Sequence, residues 1–188
     1  MELQGKKVLV FGSGKSGIGA SDLLAKVGAF PVIYDGNAET DKDAVVHKTD
    51  GTYPVTVYAG ELPKEVQDSL DLVVLSPGVP TDLPLVKSFY EQGLPVWGEV
   101  ELAYRVGDGE VLAITGTNGK TTTTTLLIKL LSCDTEIRKS FESNTIHAIT
   151  TGILKGSGDI GVFEYGIRNK IYGIPDTCLL YTSDAADD

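Results

Sequence analysis

Gly116-Thr117-Asn118-Gly119-Lys120-Thr121-Thr122 gathers the residue types that hold a nucleoside triphosphate. Glycines let backbone N–H groups close around phosphate oxygens, a lysine ammonium reaches the terminal phosphates, and a threonine hydroxyl ligates Mg²⁺. The spacing departs from the common G-x-x-x-x-G-K-[ST], because Ile114 stands five positions before Gly119. A Gly-Lys turn that merely caps a helix is the competing reading. A second glycine set, Gly12-Ser13-Gly14-Lys15-Ser16-Gly17, has G-x-G-x-x-G spacing, and the acidic Asp35 follows about 20 residues on. Taken alone, that set reads either as a nicotinamide or flavin dinucleotide site or as a turn that lets a helix pack close to a strand. Ser76-Pro77-Gly78-Val79-Pro80 is a forced loop, readable as a plain turn or as a ligand-binding one.

These residues need elements to place them. Lys7-Val8-Leu9-Val10-Phe11 is an apolar run of strand length, and Ile18 to Val27 has helical spacing closed by Gly28. Pro31-Val32-Ile33-Tyr34 gives a second strand ending at Asp35. Weaker strand signal lies at Val55 to Tyr58, a helix or turn at Pro63 to Leu70, and the strongest strand of this half at Leu72 to Leu75. Leu85 to Gln92 reads as a helix, Pro95-Val96-Trp97 as a strand, and Gly98 to Val106 as a short helix. Residues 36–54 are polar and are expected to form a mostly irregular loop. Val111 to Ile114 and Ile160 to Phe163 are further strands, and Thr122 to Leu131 is a helix. Strands alternating with helices of this length imply a parallel sheet with helices on both faces, so the class is α/β. In such sheets ligands gather beyond the C-terminal ends of the strands, where both glycine sets and the Ser76 loop would stand. Gly107-Asp108-Gly109-Glu110 is a flexible link and places a domain boundary near residue 107.

The whole chain narrows the choice of partners. Its 188 residues carry a formal charge of −10, which leaves no basic footprint for nucleic acid. No apolar stretch approaches the roughly 18 residues of a membrane span, and the N-terminus lacks a signal-like apolar segment. Cys133 and Cys178 show no metal or redox spacing and read as plain thiols in a reducing compartment. The expectation is a cytoplasmic protein, without membrane or nucleic-acid partners.

Two phosphate-binding folds in tandem, the second carrying G-T-N-G-K-T-T, resemble the Mur ligase family. The strings Gly12 to Gly17, Leu75-Ser76-Pro77-Gly78-Val79, Gly98-Glu99-Val100-Glu101-Leu102 and Ile114 to Thr122 carry that resemblance and lean toward the D-glutamate-adding branch. It runs continuously over residues 1 to about 125. It implies a Rossmann-like domain at 1–106 that binds a UDP sugar rather than a dinucleotide. A truncated P-loop NTPase-like central domain would follow at 107–177. On this analogy Gly14, Lys15, Ser16, Asp35, Gly36, Ser76, Pro77 and Gly78 surround uridine and its diphosphate. Gly36 and Asn37 stand where some members carry a basic residue.

The resemblance further implies that Gly116 to Thr122 hold ATP, with Lys120 on the β,γ-phosphates and Thr121 or Thr122 on Mg²⁺. Glu164 lands where the family places a Mg²⁺-binding glutamate; a strand-end surface carboxylate is the alternative. The implied reaction is ATP-dependent amide formation, joining D-glutamate to UDP-N-acetylmuramoyl-L-alanine for peptidoglycan precursors, by a monomer. Other readings are a Mur-type ligase for a different amino acid or of pseudomurein type, and an NAD-dependent oxidoreductase. Beyond Thr125 the familiar strings give way, so residues 126–177 are expected to diverge, as in a chimera with another Mur-type ligase. Residues 178–188 are expected to be a non-native or disordered tail. With the rest of a three-domain ligase missing, the chain is expected to be inactive alone.

Overall fold

The computed structural model describes residues 2–107, 110–115, 120–133, 136–139, 160–164 and 178–181. Two compact units divide between Leu102 and Ala103. Near-continuous apolar runs are what a parallel strand covered on both faces requires, and β1 (Lys7–Phe11) meets that rule: Val8, Leu9 and Val10 are fully buried. Helix α1 (Lys15–Lys26) starts earlier than its apolar spacing suggests, so Lys15 and Ser16 belong to its first turn. It packs on β1 and on β2 (Phe30–Asp35) through a face that includes Ile18, Leu23 and Leu24. Gly28, at φ +78°, ends it. The Ala29 N–H returns to the Leu24 carbonyl and the Gly28 N–H to that of Ala25, the paired closure of a left-handed C-terminal cap.

The segment 36–54 is not wholly irregular. It holds a short helix, α2 (Lys42–Val46), because the Asp41 carboxylate accepts the Ala44 N–H at 3.0 Å and caps it. The chain continues through β3 (Thr56–Ala59), α3 (Lys64–Gln67), β4 (Leu72–Leu75), α4 (Pro84–Glu91), β5 (Val96–Gly98) and α5 (Glu99–Val106). The five strands are parallel in the order β3-β2-β1-β4-β5. One core brings Leu9, Phe11, Tyr34, Val73 and Leu75 together with Val66, Val86 and Phe89 from the helices. Phe11 and Tyr34 meet edge to face, 4.7 Å between ring centroids. The strand order reverses between β1 and β4, which opens a crevice at their C-terminal ends.

The second unit has its own parallel sheet. It contains β6 (Glu110–Thr115), α6 (Lys120–Leu131), β7 (Ile137–Lys139), β8 (Ile160–Glu164) and β9 (Cys178–Tyr181), with strands in the order β7-β8-β6-β9. Ile128 and Val162 form its described core, with Leu127, Leu131, Ile137 and Ile160 against them. The α/β class read from the sequence is the class of the structure. The segment 178–188, expected to be a non-native or disordered tail, opens with an ordered strand, β9, which pairs with β6 in register Leu112 to Cys178 and Thr115 to Tyr181. Cys178-Leu179-Leu180-Tyr181 is an apolar run of strand length, and β6 offers it an edge. Residues 182–188 lie outside the described residues. Among the described residues no helix is long and apolar enough to cross a membrane.

Candidate functional site

The C-terminal edge of the first sheet collects almost all the candidate residues of the first unit. Gly14 precedes α1 with extended backbone and no side-chain cap, so the first-turn N–H groups of that helix have no internal acceptor. Gly14 and Lys15 are exposed and Ser16 is half-buried. A Cβ on Gly14 would meet nothing within 4 Å, which leaves room for a ligand to approach the backbone. The flanking glycines are different. A Cβ on Gly12, whose φ is +124°, would come within 2.6 Å of Ser76 Oγ, and one on Gly17 within 2.0 Å of the Gly12 carbonyl oxygen. Gly12 and Gly17 therefore set how closely α1, β1 and the Ser76 loop approach, and Gly14 is left facing outward.

Asp35, at the end of β2, is half-buried and is committed to the same turn. Its Oδ2 accepts from the Ser13 hydroxyl, and from the Ser13 N–H at 3.3 Å; Oδ1 accepts from the Asn37 N–H at 3.0 Å. Burial pushes this carboxyl up, but hydrogen bonds from Ser13, Asn37 and Thr40 together outweigh it and hold it below the usual carboxylate range. A carboxylate has about four lone-pair positions, and these protein donors take up most of them. The acid that a dinucleotide site would turn toward a ribose serves here to hold the glycine turn against β2. Ser13 is the residue that sequence reasoning missed; a hydroxyl between the first two glycines of the set was the available signal. Gly36 is exposed just beyond Asp35, with open space around it.

Ser76 closes the crevice from the β4 side. Its N–H bonds the Phe11 carbonyl at 3.0 Å, and Val79 N–H returns to the Ser76 carbonyl at 3.0 Å, while Pro77 and Gly78 are exposed. The Ser76 hydroxyl donates to Glu99 Oε1 at 2.6 Å. Glu99 opens α5 and is only 2% exposed, and its Oε2 has no hydrogen-bond partner. Burial pushes the Glu99 carboxyl above its usual range, against the opposing pull of Ser76 and Ser16. The Ser16 hydroxyl therefore stands close to this carboxyl, although no hydrogen bond to Oε2 closes. An acid placed directly after a short strand, at the edge where ligands gather, was the signal for Glu99.

In the second unit the described backbone places only part of the other set. Strand β6 ends at Thr115 and α6 begins at Lys120, so Lys120 and Thr121 open a helix after a strand. Gly116, Thr117, Asn118 and Gly119 lie outside the described residues; Thr122 is exposed in the first turn. Strand β8 pairs with β6 so that Glu164 stands opposite Ile114, one position before the end of β6. Glu164 and the start of α6 thus share one end of this sheet. Oxygen donors of this kind, one carboxylate and a hydroxyl beside phosphates, suit Mg²⁺.

Comparison with known proteins adds sequence kinship to this geometry. Residues 6–98 match the family described as Mur ligase MurD-like, N-terminal domain. A UDP-N-acetylmuramoylalanine–D-glutamate ligase of Lachnospira eligens is 46% identical over 191 aligned positions, covering 98% of this chain and 42% of that protein. The ligase of the same name from Lachnoclostridium phytofermentans is 50% identical over 131 positions, covering 70% and 29%. That from Exiguobacterium sibiricum is 46% identical over 177 positions, covering 94% and 38%. The chain spans less than half the length of these relatives. Its likeness to the first and third extends well beyond residue 125, where the recognisable strings stop.

Proposed function

The chain belongs to the MurD-like Mur ligases, and from that premise we propose that it is the UDP-sugar-binding and ATP-binding portion of a ligase that adds D-glutamate to UDP-N-acetylmuramoyl-L-alanine. Residues 1–106 hold the UDP sugar and residues 107–177 the ATP, in a cytoplasmic monomer. The observation that carries this reading is the convergence of the Gly12–Gly17 turn, Asp35 and the Ser76–Gly78 loop on the crevice between β1 and β4. Uncapped N–H groups at the start of α1 favour an anion there, since the helix dipole adds to the free donors. The diphosphate lies over Gly14, Lys15 and Ser16. Uridine extends toward Asp35 and Gly36, and Ser76, Pro77 and Gly78 form the opposite wall.

At the second site the string Gly116 to Gly119 is assigned to the phosphates on its sequence, and Lys120 neutralises the β,γ-oxygens. Thr121 and Glu164 would hold Mg²⁺, which would supply positive charge to the triphosphate. The γ-phosphoryl group passes from ATP to the substrate carboxylate, giving an acyl phosphate and ADP. The amine of D-glutamate then attacks the acyl carbon, forms the C–N bond, loses a proton and expels phosphate. No protein nucleophile takes part; positioning and electrostatic clamping lower the barrier.

Binding is the property to measure on these 188 residues. Calorimetric titration with UDP-N-acetylmuramoyl-L-alanine, beside NADH, tests the first site. The expected result is heat from the UDP sugar and none from NADH. Binding of NADH alone would return the Gly12–Gly17 turn to a dinucleotide role and end the proposal.

A further inference from the structure

Glu99 is the buried ionisable group that the proposed chemistry leaves unused. It is 2% exposed, and among the described residues no basic side chain is hydrogen-bonded or ion-paired to it. Its Oε1 accepts from Ser76 at 2.6 Å, and its Oε2 is buried without a partner. A buried oxygen left unpaired costs about 1–3 kcal/mol, so an apolar side chain would serve packing better at this position. Ser76 and Ser16 approach Glu99 from opposite walls of the crevice, one on the β4 loop and one in the first turn of α1.

We infer that Glu99 is a positioning residue, a buried carboxyl shared between Ser76 and Ser16 that orients both hydroxyls toward a nucleoside diphosphate. This inference rests on the UDP-binding reading of the crevice. Glu99 lies behind the serines, away from solvent, and touches the ligand only through them. Burial raises the Glu99 pKa against the opposing pull of Ser76 and Ser16, and Oε2, buried without a partner, is the atom left to meet Ser16 when the crevice is occupied. Ser76, held by Glu99 on one side and by the Phe11 carbonyl through its N–H, keeps Pro77 and Gly78 at a fixed distance from the glycine turn.

The test is calorimetric titration of the full chain with UDP, on the unsubstituted protein and on Glu99→Gln, Glu99→Leu, Glu99→Asp and Ser16→Ala. Glu99→Gln can accept from Ser76 and donate to Ser16, so its affinity is expected within about twofold of the unsubstituted chain. Glu99→Leu fills the same space without either bond and is expected to weaken UDP by about tenfold or more, the scale of a lost hydrogen bond to a charged group. Its thermal melt is expected to stay cooperative, a combination that a purely structural role does not give. Glu99→Asp is one methylene too short to reach both serines and is expected to weaken UDP likewise, which keeps the test open if the leucine variant fails to fold. The double variant Ser16→Ala/Glu99→Leu is expected to be no weaker than either single one. Unchanged UDP affinity in folded Glu99→Leu or Glu99→Asp, or additive losses in the double variant, would overturn the inference while leaving the UDP site standing. Absence of UDP binding by the unsubstituted chain would remove the UDP reading, and this inference with it.

Discussion

Gly17 lies so close to Gly12 that a methyl group on its Cα would stand 2.0 Å from the Gly12 carbonyl oxygen. Both partners in that approach are backbone, so neither can swing aside as a side chain would. Gly17→Ala must lift α1 away from β1, and overpacking of this kind costs about 1–3 kcal/mol or more. Urea unfolding should show that loss in the first unit. Gly14→Ala, with nothing within 4 Å of the new methyl, should change stability by no more than about 0.5 kcal/mol yet weaken UDP-sugar binding. Equal destabilisation by both substitutions would contradict the division of labour among these glycines.

Asp35→Asn tests the tie between β2 and the turn. The folded carboxyl is held below its usual range, so its stabilising contribution is present above the ordinary carboxylate pKa and is lost as pH falls through the folded value. Replacing it should cost about 1–2 kcal/mol at neutral pH, a fraction of what hydrogen bonds to a charged group contribute. The acid side of the stability–pH curve should become shallower in the variant. An unchanged acid limb would show that Asp35 is not the group responsible.

Glu99 has the opposite sign. Its folded pKa is raised, so the folded state holds the proton more tightly than the unfolded chain. That contribution is complete below the ordinary glutamate pKa and is lost as pH rises through the folded value. Glu99→Gln removes this titration, so thermal midpoints measured from acid toward alkaline pH should fall less steeply than those of the unsubstituted chain. Parallel curves would place the titration elsewhere.

Lys120→Ala separates the two proposed nucleotide sites. Lys120 begins α6 in the second unit, whereas the Gly12–Gly17 turn belongs to the first. The substitution should abolish ATP binding and leave UDP-sugar affinity unchanged in paired titrations. Loss of both ligands together would contradict two independent sites.

Much of this architecture is legible in the chain because strands and helices announce themselves locally. Val8 to Phe11 and Leu72 to Leu75 are apolar runs between turn residues, and both are central strands of the sheet. The α2 helix was hidden because its five residues bury little beyond Val45 and depend on the Asp41 cap. Cys178 to Tyr181 was hidden for another reason: among the described residues it is placed by a pairing with β6, more than sixty residues earlier. Asp35 stood out by its spacing from the glycine set, but its commitment to Ser13 did not.

The sequence by itself determined the α/β class and the glycine turn between β1 and α1, since each follows from periodicity and the chemistry of neighbouring residues. Only the tertiary structure decided what the polar groups there do to one another. Ser13 meets Asp35 across 22 positions and Ser76 meets Glu99 across 23. Those meetings depend on the order β3-β2-β1-β4-β5, which sets β2 and β4 on either side of β1 and β5 beside β4. Strand order is a property of the packed core, where many distant side chains compete for the same neighbours, and no local run of residues contains it.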